Sequence, residues 1–198
     1  MAYVRGGNGE ELVGSLLESL DDDWHVFHGL TLDPKSDIDH VLVGNAGIYC
    51  VSTKNLRGLF SASGSELLYN GKPTSYGRQA VAQAMNMRDR LAALMGGPPP
   101  YVNAILAVPQ AWVELPGVHR NVWVLHQDNL VRTLEGAPHR MNEDQVTACV
   151  KAMKLLVTSA VDVRTSAQRA GFATPPSDTS GTPTRSERTV GHHPPVND

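Results

Sequence analysis

The sequence predicts an α/β domain built on a mixed sheet with helices on its faces, followed by a tail that does not fold. Three observations lead there. Helical periodicity comes first, then several adjacent strand-like runs, then a second helix and further strands. Two of the strand-like runs flank Gly44-Asn45-Ala46-Gly47, a hairpin signal. From Thr165 the composition changes abruptly.

Taken in order, Leu12, Val13, Leu16, Leu17 and Leu20 recur at helical spacing after a glycine-rich start, which predicts a helix over about 9–20. Trp24 to Leu32 suits a strand. Ile38 to Val43 and Ile48 to Thr53 are the two arms of the hairpin. Leu59 to Ser63 and Glu66 to Asn70, split by Ser63-Gly64-Ser65, suggest a further meander. Tyr76 to Met95 reads as a helix with Ala80, Ala84, Met87, Leu91 and Leu94 on one face, closed by Gly96-Gly97-Pro98. Tyr101 to Val108 and Val122 to His126 are two more strands, and Asn142 to Val157 is a last helix. Residues 165–198 hold five prolines, many Ser and Thr, and almost no large apolar side chains. Such a segment cannot offset its ordering entropy and is expected to be a disordered tail behind a folded unit, 1–164.

With 41% hydrophobic residues in 198, the chain can bury a core without a disulfide or metal staple. Two cysteines, Cys50 and Cys149, build no disulfide framework and favour a reducing compartment. No apolar run reaches membrane-spanning length and the start lacks a signal-peptide pattern, so a cytoplasmic protein without membrane contact is expected. The net charge of −3 hides an asymmetry. Nine acids face one base between Gly9 and Asp39, whereas six bases face two acids between Lys54 and Arg90. An anionic partner would approach the middle segment; a solvated surface of mixed charge explains the same run.

The informative stretch is Ser36 to Asn55. A turn at Asn45-Ala46 sets a register in which paired positions sum to 91, placing Asp39 opposite Ser52 and Asp37 opposite Lys54. Side chains alternate along a strand, so Asp37, Asp39, Ser52 and Lys54 should share a face with Val41, Val43, Ile48 and Cys50. Ile38, Leu42, Tyr49 and Val51 fall on the other face. Both faces are apolar, which places the hairpin centrally in the sheet. A polar cluster there needs a partner or solvent, and an Asp37–Lys54 ion pair would serve as well as a functional site. On the first helix Glu10 borders the apolar stripe and Glu11 points to water. Glu10 can therefore reach the sheet surface, although an acid near a helix start is also favoured by the macrodipole alone.

Gly9-Glu10, Ile38-Asp39-His40, Gly47-Ile48-Tyr49, Thr53-Lys54-Asn55 with Gly58, and Gln79-Ala80 opening a helix resemble the nuclease-related (NERD) domain of the PD-(D/E)XK nuclease superfamily, over roughly residues 6–108. The resemblance implies a restriction-endonuclease-like fold, with residues 1–164 as the nuclease-related domain and its helical extension. It also implies Mg²⁺- or Mn²⁺-dependent hydrolysis of phosphodiesters in nucleic acid, DNA being the substrate expected first. By resemblance Asp39 is the metal-binding acid, Lys54 the catalytic lysine, Glu10 the first-helix acid and Gln79 the helix glutamine near the site, with Asp37 a further possible ligand. Lys54, Arg57, Lys72 and Arg78 would contact phosphates. The sequence departs from the family at Ser52, where the usual pattern has Glu. A hydroxyl is a weaker ligand for a hard cation, yet Mg²⁺ commonly uses one or two carboxylates plus waters and phosphates. The alternative is a non-catalytic module that binds nucleic acid or protein on a nuclease fold.

Other candidates carry less. His25 and His28 lie three apart on a strand and so face opposite ways. His40 reads as a hydrogen-bonded structural histidine, and Cys50 as inert packing. Trp112, Trp123 and Tyr101 are expected to pack rather than stack on bases, since no basic residues interleave with them.

Overall fold

The computed structural model describes residues 4–33, 36–97, 100–114 and 117–171. Along the chain run α1 (Val4–Glu18), β1 (Trp24–Asp33), β2 (Ser36–Gly44), β3 (Gly47–Thr53), β4 (Leu59–Ser63), β5 (Glu66–Tyr69), β6 (Lys72–Pro73), α2 (Tyr76–Met95), β7 (Val102–Ala107), β8 (Trp112–Val113), β9 (Gly117–His119), β10 (Val122–Leu125), α3 (Gln127–Glu135) and α4 (Glu143–Gly171). The main sheet has the order β1-β2-β3-β7-β10-β9. Its first three strands are antiparallel, β3, β7 and β10 run parallel, and β9 returns antiparallel.

The mixed α/β architecture expected from the sequence is the one observed. β3 is buried along its whole length, as a strand covered on both faces must be. One face, with Val41, Val43, Ile48, Cys50, Ala104, Leu106 and Val124, packs under α2 and α4 through Ala84, Met87, Leu91 and Met153. The other, with Leu42, Tyr49, Val51, Ile105 and Leu125, packs under α1 and α3 through Val13, Leu17, Leu130 and Leu134. The hairpin has the expected register, pairing His40 with Val51, Leu42 with Tyr49 and Gly44 with Gly47. The helix Tyr76–Met95 has the expected bounds and ends where Gly96 takes the left-handed conformation at φ 64° and donates its N–H to Ala92.

Four expectations need correction. The expected meander is real, but β4 and β5 join β6 and β8 in a separate four-stranded sheet, β6-β5-β4-β8. The first helix ends at Glu18, and Leu12, expected on its apolar stripe, is exposed. Ile38 belongs with the α2–α4 face and not with Tyr49, as does its β1 partner Leu30, beyond Gly29 at φ 59° where the pleat is interrupted. The last helix runs on through Gly171, into the segment expected to be tail; residues 172–198, including the His192–His193 doublet, lie outside the described residues. The sequence reading also missed α3, only nine residues long, whose start is capped by the His126 ring accepting from the Asp128 N–H at 3.3 Å. No described helix is long and apolar enough to cross a membrane.

Candidate functional site

The polar cluster sits at the end of the hairpin, where β2 and β3 part. The paired register reaches His40–Val51, one step short of Asp39. There the Asp39 side chain takes over: its Oδ2 accepts the Thr53 N–H at 2.6 Å. β3 continues beside β7 instead, and the Lys54 N–H donates to the Ala107 carbonyl at 2.9 Å. The expected opposition of Asp37 to Lys54 is therefore not realised as strand pairing. No ion pair joins them among the described residues. Asp37 is exposed, and its carbonyl accepts from Gln83 Nε2 at 2.7 Å.

Glu10 arrives from the other layer. α1 lies so close to the loop after β3 that a Cβ on Gly9 would stand 2.6 Å from Asn55 Cβ. Only glycine permits this approach, and the next residue is Glu10. Although Glu10 is exposed as a residue, its carboxyl is held above the usual carboxylate range, first by partial desolvation and then by the charge of Asp39. Lys54 pulls it back and Asp37 adds to the rise. Asp39 is also raised, first by burial, with the Thr53 hydrogen bond and Lys54 opposing and Asp37 contributing. Three carboxylates and one lysine thus share a field at one corner of the sheet. Lys54 is half-buried, and its Nζ stands 6.0 Å from the centre of the Tyr76 ring, at the limit of cation–π contact.

Ser52 is 3% exposed, so the position where the family pattern has Glu is a buried one. Cys50 lies on this face as expected: burial, then the charge of Asp39, push its thiol up to about 12, so it stays protonated and inert. Thr53 Oγ1 and Gln83 Oε1 are buried polar atoms with no hydrogen-bond partner among the described residues. Gln79 bonds instead to Ser75 Oγ at 3.0 Å, on the exposed side of α2. Gln83, one turn further on, is the glutamine that reaches β2. The sequence reading missed Gln83 and Tyr76; the i+4 spacing from Gln79 was the available signal for the former.

The expected phosphate-contacting residues are dispersed. Arg57 lies in the loop after Lys54, its Nε donating to Gln110 Oε1 at 3.0 Å. Lys72 is exposed on the short β6. Arg78 lines a separate cleft of about 620 Å³ with Leu67, Val81, His119 and Arg120. His40 is hydrogen-bonded as expected, but to a second histidine: Nδ1 of His28 and Nδ1 of His40 are 2.8 Å apart, and His28 Nε2 meets Glu18 at 3.2 Å. Burial, then His28, lower the His40 imidazole to about 4.

Glu10 and Asp39 are two carboxylates whose charges meet at this corner. Among the described residues no group of three or more His, Cys, Asp or Glu could hold a metal ion by itself. A sparse two-carboxylate set completed by water and substrate oxygens is the form Mg²⁺ tolerates, and a carboxyl whose proton affinity is raised by desolvation and a neighbouring carboxylate suits a cation. The two partnerless buried oxygens are acceptors for ordered water.

A mixed sheet flanked by helices, with acids from a helix and a strand beside a strand-end lysine, defines a nuclease-like α/β domain. The family comparison agrees: residues 5–109 match the NERD model, the nuclease-related domain, and this chain belongs to that family. The match is consistent with placement in the PD-(D/E)XK superfamily. No curated protein and no solved structure matches the chain.

Proposed function

We propose that the chain is a metal-dependent nuclease whose site is built from Glu10, Asp39 and Lys54, acting on DNA before other nucleic acids. The observation that supports this reading most is the shared field: beyond partial desolvation, the charge of Asp39 on the sheet raises the proton affinity of Glu10 on the helix layer, while a half-buried lysine beside them enters no ion pair among the described residues. Asp39 and Glu10 would hold Mg²⁺ or Mn²⁺, with Asp37 at the rim. When bound, the ion would polarise a phosphoryl oxygen and acidify a water. Asp39 is fixed by the Thr53 N–H at Oδ2, which leaves its other oxygen for the ion. Lys54, anchored by its main-chain bond to Ala107, stabilises charge that develops on the phosphoryl group. Arg57 contacts backbone phosphates beside the site. The test is cleavage of plasmid DNA with Mn²⁺ or Mg²⁺. Glu10→Gln, Asp39→Asn and Lys54→Ala should each abolish it, and cleavage that survives all three would refute the assignment.

Ser52 favours a second reading, a module that binds nucleic acid without cutting it. A gel shift that persists in chelator and weakens with salt, with no cleavage under any metal, would select it.

A further inference from the structure

Trp112 is expected from the sequence to pack, and the structure leaves it 82% exposed. The other two tryptophans behave differently. Trp24 stands edge-on to Tyr49 at 5.7 Å, and Trp123 packs against the α1–α3 side of the core. A scattered exposed apolar residue needs no explanation. An indole in water on a strand joined to the candidate site needs one.

Two chain segments run side by side from the site to Trp112. One leaves β3 at Lys54 and reaches Leu59; the other leaves β7 at Ala107 and reaches Trp112. They are tied at the inner end by Lys54 N–H to Ala107 O at 2.9 Å. In the middle Arg57 Nε meets Gln110 Oε1 at 3.0 Å. At the outer end Trp112 N–H donates to Gly58 O at 2.8 Å, and Leu59 pairs with Trp112. Five residues extend at most about 18 Å, so Trp112 lies within a few nucleotides of Lys54.

The ledge is also held rigidly. The Tyr69 hydroxyl donates to the Arg57 carbonyl at 2.8 Å. Asn70 clasps Leu59 on both sides, donating its N–H to the Leu59 carbonyl at 2.8 Å and accepting the Leu59 N–H at Oδ1, also at 2.8 Å. Gly58 sits at φ 147°, where a side chain would collide with Asn70. A cation held by Gln110, followed by a solvated aromatic on a hydrogen-bonded strand, leading away from a phosphoryl site, is what an unpaired strand recognises: phosphate on the cation, base on the ring.

We infer that Trp112 is a base-stacking residue and that the site takes a nucleic acid with unpaired bases on its Arg57–Trp112 side. This rests on the nuclease reading for the location of the reacting phosphate, but not for binding. The experiment titrates full-length protein in chelator with an oligothymidylate and with a blunt duplex, following tryptophan fluorescence and anisotropy. Trp112→Ala should bind the single strand roughly 5- to 150-fold more weakly and the duplex within about twofold of wild type. Trp112→Phe should restore single-strand binding while losing most of the fluorescence quench, since Trp24 and Trp123 are packed. Unchanged melting temperature in both variants is expected from the exposure of the side chain. Equal single-strand affinity in wild type and Trp112→Ala overturns the inference, as does an equal loss for the duplex. So does a dimer broken by Trp112→Ala with oligonucleotide affinity intact, which would make the residue a self-contact. If stacking is confirmed and no metal supports cleavage, the nuclease reading fails while this one stands.

Discussion

α1 passes the loop after β3 at Gly9 and Asn55 with no room for a side chain on the glycine, which gives a test that touches no reactive group. An alanine at Gly9 brings its Cβ to 2.6 Å from Asn55 Cβ and 2.8 Å from Asn55 Cγ. Carbon atoms in contact settle near about 3.5–4.0 Å, so α1 and the loop must separate by about 1 Å. Overpacking of this kind costs about 1–3 kcal/mol. Against it, Gly→Ala within a helix gains about 1 kcal/mol. The net loss is up to about 2 kcal/mol, which lowers the melting temperature by up to about 8 °C in a chain of this size. Gly14 is the internal control. It lies in the same helix, and a Cβ there would meet the His40 and His28 rings at 3.5–3.6 Å, an ordinary contact. Gly14→Ala should raise the melting temperature by about 2–4 °C. Glu10 moves with Gly9, and a misplacement of about 1 Å costs about 100-fold in rate where groups must act together. Gly9→Ala should therefore lose cleavage and metal-dependent thermal stabilisation, while Gly14→Ala keeps both. If Gly9→Ala stabilises as Gly14→Ala does and leaves the metal response intact, α1 does not position Glu10 against Asp39.

Two further substitutions address the charges. Asp39→Asn keeps an acceptor for the Thr53 N–H and removes a carboxylate whose proton affinity is raised by burial. A folded-state value above the unfolded one means that ionisation costs stability above the folded pKa and that the penalty fades as pH falls through it. In chelator, Asp39→Asn should melt above wild type at neutral pH, with the gap closing toward acid. His40, lowered to about 4, contributes stability that both proteins lose as pH falls below its ordinary 6.5, so it cancels in the comparison. A gap that widens toward acid would contradict the sign. Ser52→Glu places another carboxylate at a buried position among Asp39 and Lys54. It should lower the metal-free melting temperature and enlarge the upward shift that Mg²⁺ or Mn²⁺ produces; a shift no larger than wild type would place position 52 outside the ion's reach.

How much of this was legible in the residues alone follows from the range of the forces involved. Helical periodicity and a glycine stop are local, and Tyr76–Met95 was readable to the residue. The turn at Asn45-Ala46 fixes the hairpin register through geometry within a few residues, and it placed Asp39 beside the end of β3. The family motifs lie inside those same local segments, so Glu10, Asp39 and Lys54 could be named from them. Other features depend on partners far away in sequence. β4 and β5 pair locally with each other, but only β8, some fifty residues on, shows that they form a second sheet. The pleat alone put Ile38 on the wrong face: it packs under α2 and α4 with its β1 partner Leu30, beyond the left-handed Gly29. Whether Asp37 or Gln79 joins the site depended on where α2 docks, and that docking brought Gln83 to β2. Exposure is the least local property of all: an indole is apolar in any sequence, and only the packing of the whole chain leaves Trp112 in water while it buries much of Trp123.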